Sequence, residues 1–586
     1  MGAKVLSHIS ALEFVSNVKW SRDRVFPVFS RPDSLVVVDL RSMDFLRNYR
    51  HLLLITLQGL VNREKPKIYV ILTDRDMVWL NAIRNTGIEI HRAGLEEVIE
   101  AFAGYISGCI VYDPYVPDTV NVASTMSGIY NAVVVHPRDL AWTEEHGLRV
   151  VNDLRGKFGS KIEAYEWAYA ELWPRCNHRL LVPMKPVHTA PLRPMQIAVR
   201  DYVVALRLFA HYLDPRDPKE RQLFCKLLEE MPRNSAVLGW HEGTEHITVR
   251  LTSEHGKFVV VVTGNPYLVS NLTVWSGIEA KVKFKLPSVD FSKLGLDRVY
   301  VTFYMNDGDN VQWDIMMRDF WEDPCRGNVP VAWTISPFLV DLAPLIMKYY
   351  AETMSELDTF VSGPSGAGYW YPNVNPEYAE EFLELTKKYF QRSGLMLTEV
   401  LGEFLDGETL PKYAKELRVL AIKIGYRGMD TFPYYISESP VPIIPGTIEF
   451  SEGEEEKAYD WLKAIATVYK RRPLHVLVIC VPWKFKSLKP LRLLADMISS
   501  DKELMLVNFH EFVVMLNPKY GTKLAEELLK RARGTGVSEK ALLEAEGYLR
   551  AAKEYCEKGR WREASLEANK VLRILGSSLK LVSKED

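Results

Sequence analysis

The chain predicts a mixed α/β protein: an open, Rossmann-like N-terminal region, a (β/α)-barrel-like C-terminal domain and a helical extension. Three observations carry this. Short apolar runs alternate with amphipathic stretches in two separate blocks, the mark of parallel strands joined by crossover helices. At 586 residues the chain is too long for one core. After about residue 518 the strand rhythm stops and only helical periodicity remains.

In the first block, residues 1–140, Leu35-Val36-Val37-Val38-Asp39 is an apolar run expected as a strand buried on both faces. Leu46, Tyr49, Leu53 and Leu57 are spaced for one helical face, closing near Gly59. Further strands are predicted at Ile68 to Leu72, at Ile110 to Tyr112 and at Ala132 to Val135, with a helix from Asp74. No G-x-G-x-x-G follows the first strand, so a dinucleotide is not indicated. Residues 141–230 read as a mixed, largely helical bridge, with a Pro-rich run from Val182 to Pro194.

From 231 to 515 the rhythm returns. Strands are expected at Ala236 to Gly239, Phe258 to Val262, Val299 to Tyr304, Val329 to Ile335, Thr359 to Ser362, Leu395 to Val400, Gly425 to Met429, His475 to Val481 and Leu504 to Val507. Eight or nine units over roughly 280 residues suit a closed barrel, with an open doubly wound sheet as the alternative. In residues 516–586, Ala552, Tyr555, Trp561, Ala564 and Ala568 form a tetratricopeptide-like hairpin. A single repeat cannot bury its own face, so it must pack on the barrel or on a second copy, making a homo-oligomer through these helices one expectation.

Composition narrows the function. A formal net charge of -2, with no basic run interleaved with aromatics, speaks against nucleic acid as a partner. No apolar run approaches 20 residues, so no membrane partner is expected. Met1 to Ile9 lacks a signal-peptide pattern, which points to the cytoplasm. Six cysteines without a C-x-x-C pair read as isolated thiols. His241 and His246 are five apart, about 140° around a helix, and cannot form a zincin pair. Neither a P-loop nor a G-x-S-x-G elbow occurs.

In a barrel, chemistry gathers where strands end. After the strand ending at Tyr304 comes Met305-Asn306-Asp307-Gly308-Asp309-Asn310-Val311-Gln312. Its two aspartates flank a glycine between strand and helix. Such a pair can bind sugar hydroxyls, hold a divalent cation, or divide into acid and base when their surroundings separate their pKa values. The structural alternative is a helix cap by Asp309 or Asn310 with an Asx turn at Asp307, but one cap uses one side chain and the loop offers four. Glu399, at another strand end, is the best partner carboxylate, with a salt-bridged strand-end glutamate as its alternative. Trp333, Asp430, Trp483 and His510 complete the rim. Ser362 to Pro372 holds three glycines and three adjacent rings, Tyr369, Trp370 and Tyr371, at least one of which should border solvent or ligand.

Gly366-Ala367-Gly368-Tyr369-Trp370-Tyr371-Pro372 reads as G-x-G-Y-x-Y-P and resembles the signature of the GxGYxYP family of "putative glycoside hydrolases". Leu238-Gly239-Trp240 with Glu245 and Ser253, Asn271-Leu272-Thr273, and Tyr304 to Gln312 followed by Trp333 to Pro337 resemble the same family, in order over residues 30 to 515. The resemblance implies a barrel-like C-terminal domain, an N-terminal α/β region and hydrolysis of glycosidic bonds. It brings no catalytic pair with it, so the site residues rest on position and chemistry. The expected reaction is glycoside hydrolysis without a cofactor. Asp307 or Asp309 and Glu399 are the catalytic carboxylates, Tyr369, Trp370 and Tyr371 shape the sugar subsite, and Asn306, Asn310, Gln312 and Asn271 bind hydroxyls. Two alternatives stand beside it. One is a carbohydrate esterase or deacetylase, with a divalent cation at Asp307 and Asp309 assisted by His510. The other is a non-catalytic carbohydrate-binding or assembly protein.

Overall fold

The computed structural model describes residues 20–21, 23–43, 49–63, 65–186, 199–263, 269–402, 409–425, 431–436 and 439–582. The chain divides into two units, residues 1–282 with 338–349, and residues 283–337 with 350–586.

The first unit contains three small, all-parallel sheets. One has the order β2-β1-β3, from β1 (Ser34–Asp39), β2 (Ile68–Ile71) and β3 (Glu89–Arg92). A second has the order β5-β4-β6, from β4 (Cys109–Val111), β5 (Val133–Val135) and β6 (Val150–Asp153). The third has the order β10-β9-β7-β8, from β7 (Leu180–Pro183), β8 (Phe209–His211), β9 (Ala236–Val237) and β10 (Phe258–Val259). The predicted strands β1, β2, β4 and β5 are present. β3 and β6 escape a hydrophobicity reading because Glu89–Arg92 and Val150–Asp153 are edge strands with largely exposed, polar positions.

One correction concerns the boundary drawn at residue 231. β9 pairs with β7 and β10 with β9, not with the C-terminal sheet, and the segment 141–230 supplies β6, β7 and β8. The reason is physical: short, doubly buried parallel strands look alike whichever sheet they join, so periodicity carries no address. Residues 338–349 also belong to this unit. Phe338 lies between Phe26 (5.3 Å between centroids) and Phe258 (5.4 Å), Asp341 pairs with Arg24 at 3.1 Å, and Tyr349 meets Trp79 edge-on at 5.5 Å.

The second unit is built on one all-parallel, curled sheet. Its strands are β11 (Val299–Met305), β12 (Val331–Ile335), β13 (Asp358–Ser362), β14 (Thr398–Val400), β15 (Ile422–Ile424), β16 (Ile443–Pro445), β17 (Ile448–Phe450), β18 (Leu474–Cys480) and β19 (Leu504–Leu506). The order is β16-β15-β14-β13-β12-β11-β18-β17, with β19 beside the start of β11. The two ends of this path, β16 and β17, are separated in the chain by Gly446 and Thr447 alone, so the sheet curls back on itself into a barrel-like wall. Because every pairing is parallel, the carboxyl ends of all strands share one rim.

Tyr300, Tyr304, Ala332, Val361, Leu477 and Ile479 form one buried cluster with residues of the C-terminal helices, among them Phe512, Val571, Leu572 and Leu575. Burying each such aliphatic or aromatic side chain is worth roughly 1.5–3 kcal/mol, so these helices are part of the unit's core. The hairpin of Glu539–Glu557 and Trp561–Val582 therefore packs on the barrel unit. Ser565 Oγ donates to the Leu516 carbonyl at 2.9 Å and Asn569 Nδ2 to that of Met515 at 3.0 Å. Among the described residues no helix is long and apolar enough to cross a membrane.

Candidate functional site

The acidic loop leaves the rim at the end of β11. Asp307 adopts φ 69°, and its carbonyl accepts the Asn310 N–H at 3.1 Å, which closes the turn. Asn310 is the cap of the helix Val311–Trp321: its side-chain oxygen accepts from the N–H groups of Gln312 (3.0 Å) and Trp313 (3.4 Å). Of the expected hydroxyl-binding residues, Asn310 is thus spent on the helix start. Gln312 is buried in the first turn, while Asp307 and Asp309 are half-buried.

Two glycines fix where this loop sits. A Cβ on Gly308 would lie 2.3 Å from the Ile335 nitrogen at the end of β12, and a Cβ on Gly363 would lie 2.4 Å from the Asp309 nitrogen. Gly363 N–H also donates to the Ile335 carbonyl at 3.1 Å. The acidic loop is therefore pressed against the ends of β12 and β13, beside the start of the G-x-G-Y-x-Y-P segment.

Asn306 is fully buried, and neither its amide nitrogen nor its amide oxygen has a protein hydrogen-bond partner. An unsatisfied buried polar group costs about 1–3 kcal/mol, so two on one side chain at a strand end is a functional signal. A second signal lies in the same loop–helix unit. Asp314, in the first turn, is fully buried; its Oδ2 accepts the Ser336 N–H at 3.3 Å and its Oδ1 has no partner. Burial pushes its pKa well above the usual carboxylate range and the charge of Asp309 pushes the same way, against the weaker pull of the Ser336 N–H. Sequence reasoning missed Asp314. The sign was a lone carboxylate among Trp313, Ile315 and Met316, four residues after the cap.

Glu399, on β14, is buried and both its oxygens are engaged. Oε2 accepts the Tyr304 hydroxyl at 3.0 Å, and Oε1 pairs with the ammonium of Lys423 on β15, itself fully buried. The Lys423 ammonium also lies over the Tyr304 ring, 4.9 Å from its centroid. The salt-bridge alternative describes what the structure contains, one step below Asn306 on the same face of β11.

The three rings of the signature segment are all buried, the most exposed, Tyr371, at 3%. None of the three faces solvent, and Trp370 is core: its Nε1–H donates to the Tyr413 hydroxyl at 2.8 Å and its ring packs on Phe382 at 4.6 Å. Tyr369 and Tyr371 meet edge-on at 5.8 Å. The segment is tied down by Ser365, whose hydroxyl bonds the Trp370 and Leu401 carbonyls at 2.9 and 3.1 Å. At Gly366, with φ 108°, a Cβ would meet the Thr386 side chain at 2.9 Å.

Trp333 belongs to the wall, donating to Asp358 at 2.8 Å and packing on Trp321 at 5.5 Å. Trp483, half-buried at the end of β18, lies 6.2 Å from the ring of Trp313 and so flanks the helix that the acidic loop begins. His510 is occupied: one ring nitrogen bonds the Pro287 carbonyl (2.7 Å) and the other the Tyr520 hydroxyl (3.0 Å). It follows β19, which registers with Val299–Val301, below the level of the rim. Asn271 lies in the first unit, where its amide bonds Gln58, both backbone groups of Val70 and Ser270. Four bonds use up that amide. Asp430 lies outside the described residues, as does Leu46. Among the described residues no group of three or more His, Cys, Asp or Glu side chains is disposed to hold a metal ion.

Family models match the chain in four consecutive stretches: a "GxGYxYP_N 1st domain" at residues 34–103, a "GxGYxYP_N second domain" at 106–176, a "GxGYxYP third domain" at 178–277, and a "GxGYxYP putative glycoside hydrolase C-terminal domain" at 297–517. No curated protein matches it. A crystal structure described as a putative hydrolase from Bacteroides thetaiotaomicron VPI-5482 superposes with a TM-score of 0.72 at 22% identity, covering 83% of this chain and 94% of that one. That likeness establishes the fold.

Proposed function

This chain belongs to the GxGYxYP family of "putative glycoside hydrolases", and from that premise we propose that its second unit hydrolyses a glycosidic bond at the rim beside the acidic loop. The observation that carries the reading is the contrast between Asp309 and Asp314. One carboxyl is half-buried in the loop; the other is sealed behind it with an uncommitted oxygen and a pKa raised by burial. A carboxyl whose pKa burial raises, next to a more exposed one, is what a general acid near neutral pH requires.

Asp314 holds a proton and gives it to the leaving glycosidic oxygen as the C–O bond breaks. Asp309 acts either as nucleophile on the anomeric carbon or as the base that removes a proton from the attacking water. Asp307 shares the loop and orients substrate. A carboxyl separation of about 5 Å in the substrate complex means retention, and roughly 6.5–9.5 Å inversion. The amide of Asn306 supplies a donor and an acceptor for sugar hydroxyls, and the half-buried ring of Trp483 a face for sugar C–H groups. Glu399, earlier the expected second catalytic carboxylate, becomes the anchor beneath the rim, since Tyr304 and Lys423 hold both its oxygens.

The test is a screen on aryl-glycosides and oligosaccharides, with and without chelator, for the wild type, Asp309→Asn and Asp314→Asn. Both variants should lose on the order of 10²-fold or more. The Asp314→Asn loss should shrink on aryl-glycosides whose phenolate leaves without protonation. An active enzyme whose Asp314→Asn variant keeps full rate on alkyl-glycosides removes the acid from Asp314. Loss of activity in chelator would move the chemistry to a cation held by the acidic loop.

A further inference from the structure

A second site lies at the opposite edge of the same sheet, where β18 begins. A small cleft opens there, between the start of β18, the segment at Phe432 and the C-terminal helices. Its walls are mostly apolar, with Phe432 and Met515 among them. Four polar side chains line it: Arg562, His475, Ser565 and Tyr435.

Arg562 lines the cleft half-buried, and among the described residues its guanidinium has no hydrogen-bond or ion-pair partner. Burial and the charge of Arg471 both press against its positive charge. His475 lines the same cleft, buried between the rings of Tyr300 (5.5 Å) and Phe512 (5.2 Å), and its Nε2 has no partner. Ser565 and Tyr435 share a hydroxyl contact of 3.1 Å, and both donate to the Leu516 carbonyl. Burial holds His475 neutral, with its pKa lowered to about 3, so its uncommitted nitrogen offers a hydrogen bond and no charge.

An unpaired, partly desolvated guanidinium is costly unless an anion meets it, and a carboxylate matches its fork with two parallel hydrogen bonds. We propose that this cleft binds a small organic carboxylate with an apolar body, the carboxylate on Arg562, the body against Phe432 and Met515, and His475 Nε2 as the second polar contact. A barrel's chemistry sits at the carboxyl ends of its strands, so an occupant at the amino ends acts on the enzyme without being its substrate.

The test is calorimetric titration of the full chain with benzoate, with neutral benzamide and with inorganic phosphate at constant ionic strength. The readout is binding alone and is independent of any glycosidase activity. Benzoate should bind with a dissociation constant of roughly 10 µM to 1 mM, at least tenfold tighter than the other two. Arg562→Gln should weaken benzoate at least tenfold, as should Leu566→Trp, which fills the cleft and leaves the cation in place. Absence of benzoate binding, equal binding of benzamide, tighter binding of phosphate, or undiminished affinity in a folded Arg562→Gln protein each overturns the assignment. Should Arg562→Gln not fold, Leu566→Trp decides by the same criterion.

Discussion

Lys423→Met isolates the buried charge pair beneath the rim. Lys423 and Glu399 are 0% and 1% exposed as side chains, and among the described residues Tyr304 gives the Glu399 carboxylate its other hydrogen bond. Removing the ammonium leaves a carboxylate in the sheet interior with one neutral donor. Breaking a buried pair in this way costs about 3–5 kcal/mol. A unit of nearly 300 residues loses roughly 2 °C of melting temperature per kcal/mol, so its transition should fall by roughly 6–10 °C. The assay is differential scanning calorimetry of the full chain, following the second unit's transition. Glu399→Gln/Lys423→Met removes both charges and keeps an amide oxygen for Tyr304. It should return to within about 2 kcal/mol of wild type, because neutral replacement of a buried pair is nearly cost-free. The reasoning fails if Lys423→Met melts within about 2 °C of wild type, or if the double variant is no better than the single one.

Three further outcomes are expected. Asp314→Asn should stabilise the protein at neutral pH: a folded-state pKa raised above the unfolded value means stability falls as pH climbs above about 4. The gain should disappear toward pH 4 in urea titrations run from pH 4 to 8. Gly363→Ala sets a Cβ 2.4 Å from the backbone of Gly308 and Asp309, so it should cost on the order of 2 kcal/mol or more and depress turnover further than stability, read by calorimetry beside rate measurements. Asn271→Ala removes four hydrogen bonds and strands buried partners on Gln58 and Val70. It should lower the first unit's melting transition by roughly 3 kcal/mol and leave substrate affinity unchanged.

Most strand positions of the second unit were legible because each is a short apolar run closed by a turn, as at Val331–Ile335 and Leu474–Cys480; β15 at Ile422–Ile424 lies ahead of the strand expected at Gly425 to Met429, of which residues 426–429 lie outside the described residues. β16 and β17 were not: three residues each, flanked by Pro and Gly, they fall below the length at which a run stands out. The acidic loop was legible as well, since two aspartates around a glycine at a strand end exceed what a cap requires. Its internal division was not. Which polar residue caps the helix depends on a turn geometry that Asp307 sets at φ 69°, and Asn310 takes that role. The partners of Glu399 could not be read either, because Tyr304, Glu399 and Lys423 are brought together only by curling of the sheet. At least one of Tyr369, Trp370 and Tyr371 was expected at solvent or ligand because three adjacent rings cannot all face inward from a strand; a tightly bonded Gly-rich loop has no such rule and buries all three. Asp314 is the instructive omission, a carboxylate inside an apolar helical turn, visible in the sequence once burial is allowed to count as a signal.

The excursion of residues 338–349 has a bearing on how this protein can be divided and made. Phe338, Asp341 and Tyr349 complete a core whose other members, Arg24, Phe26, Trp79 and Phe258, were synthesised 80 residues or more earlier. A fragment ending at residue 282 would thus lack a wall of its own interior, and one beginning at 283 would carry that wall with nothing to cover. Neither half is a detachable module. On the ribosome the leading half must wait, unfinished, until two strands of its successor have emerged.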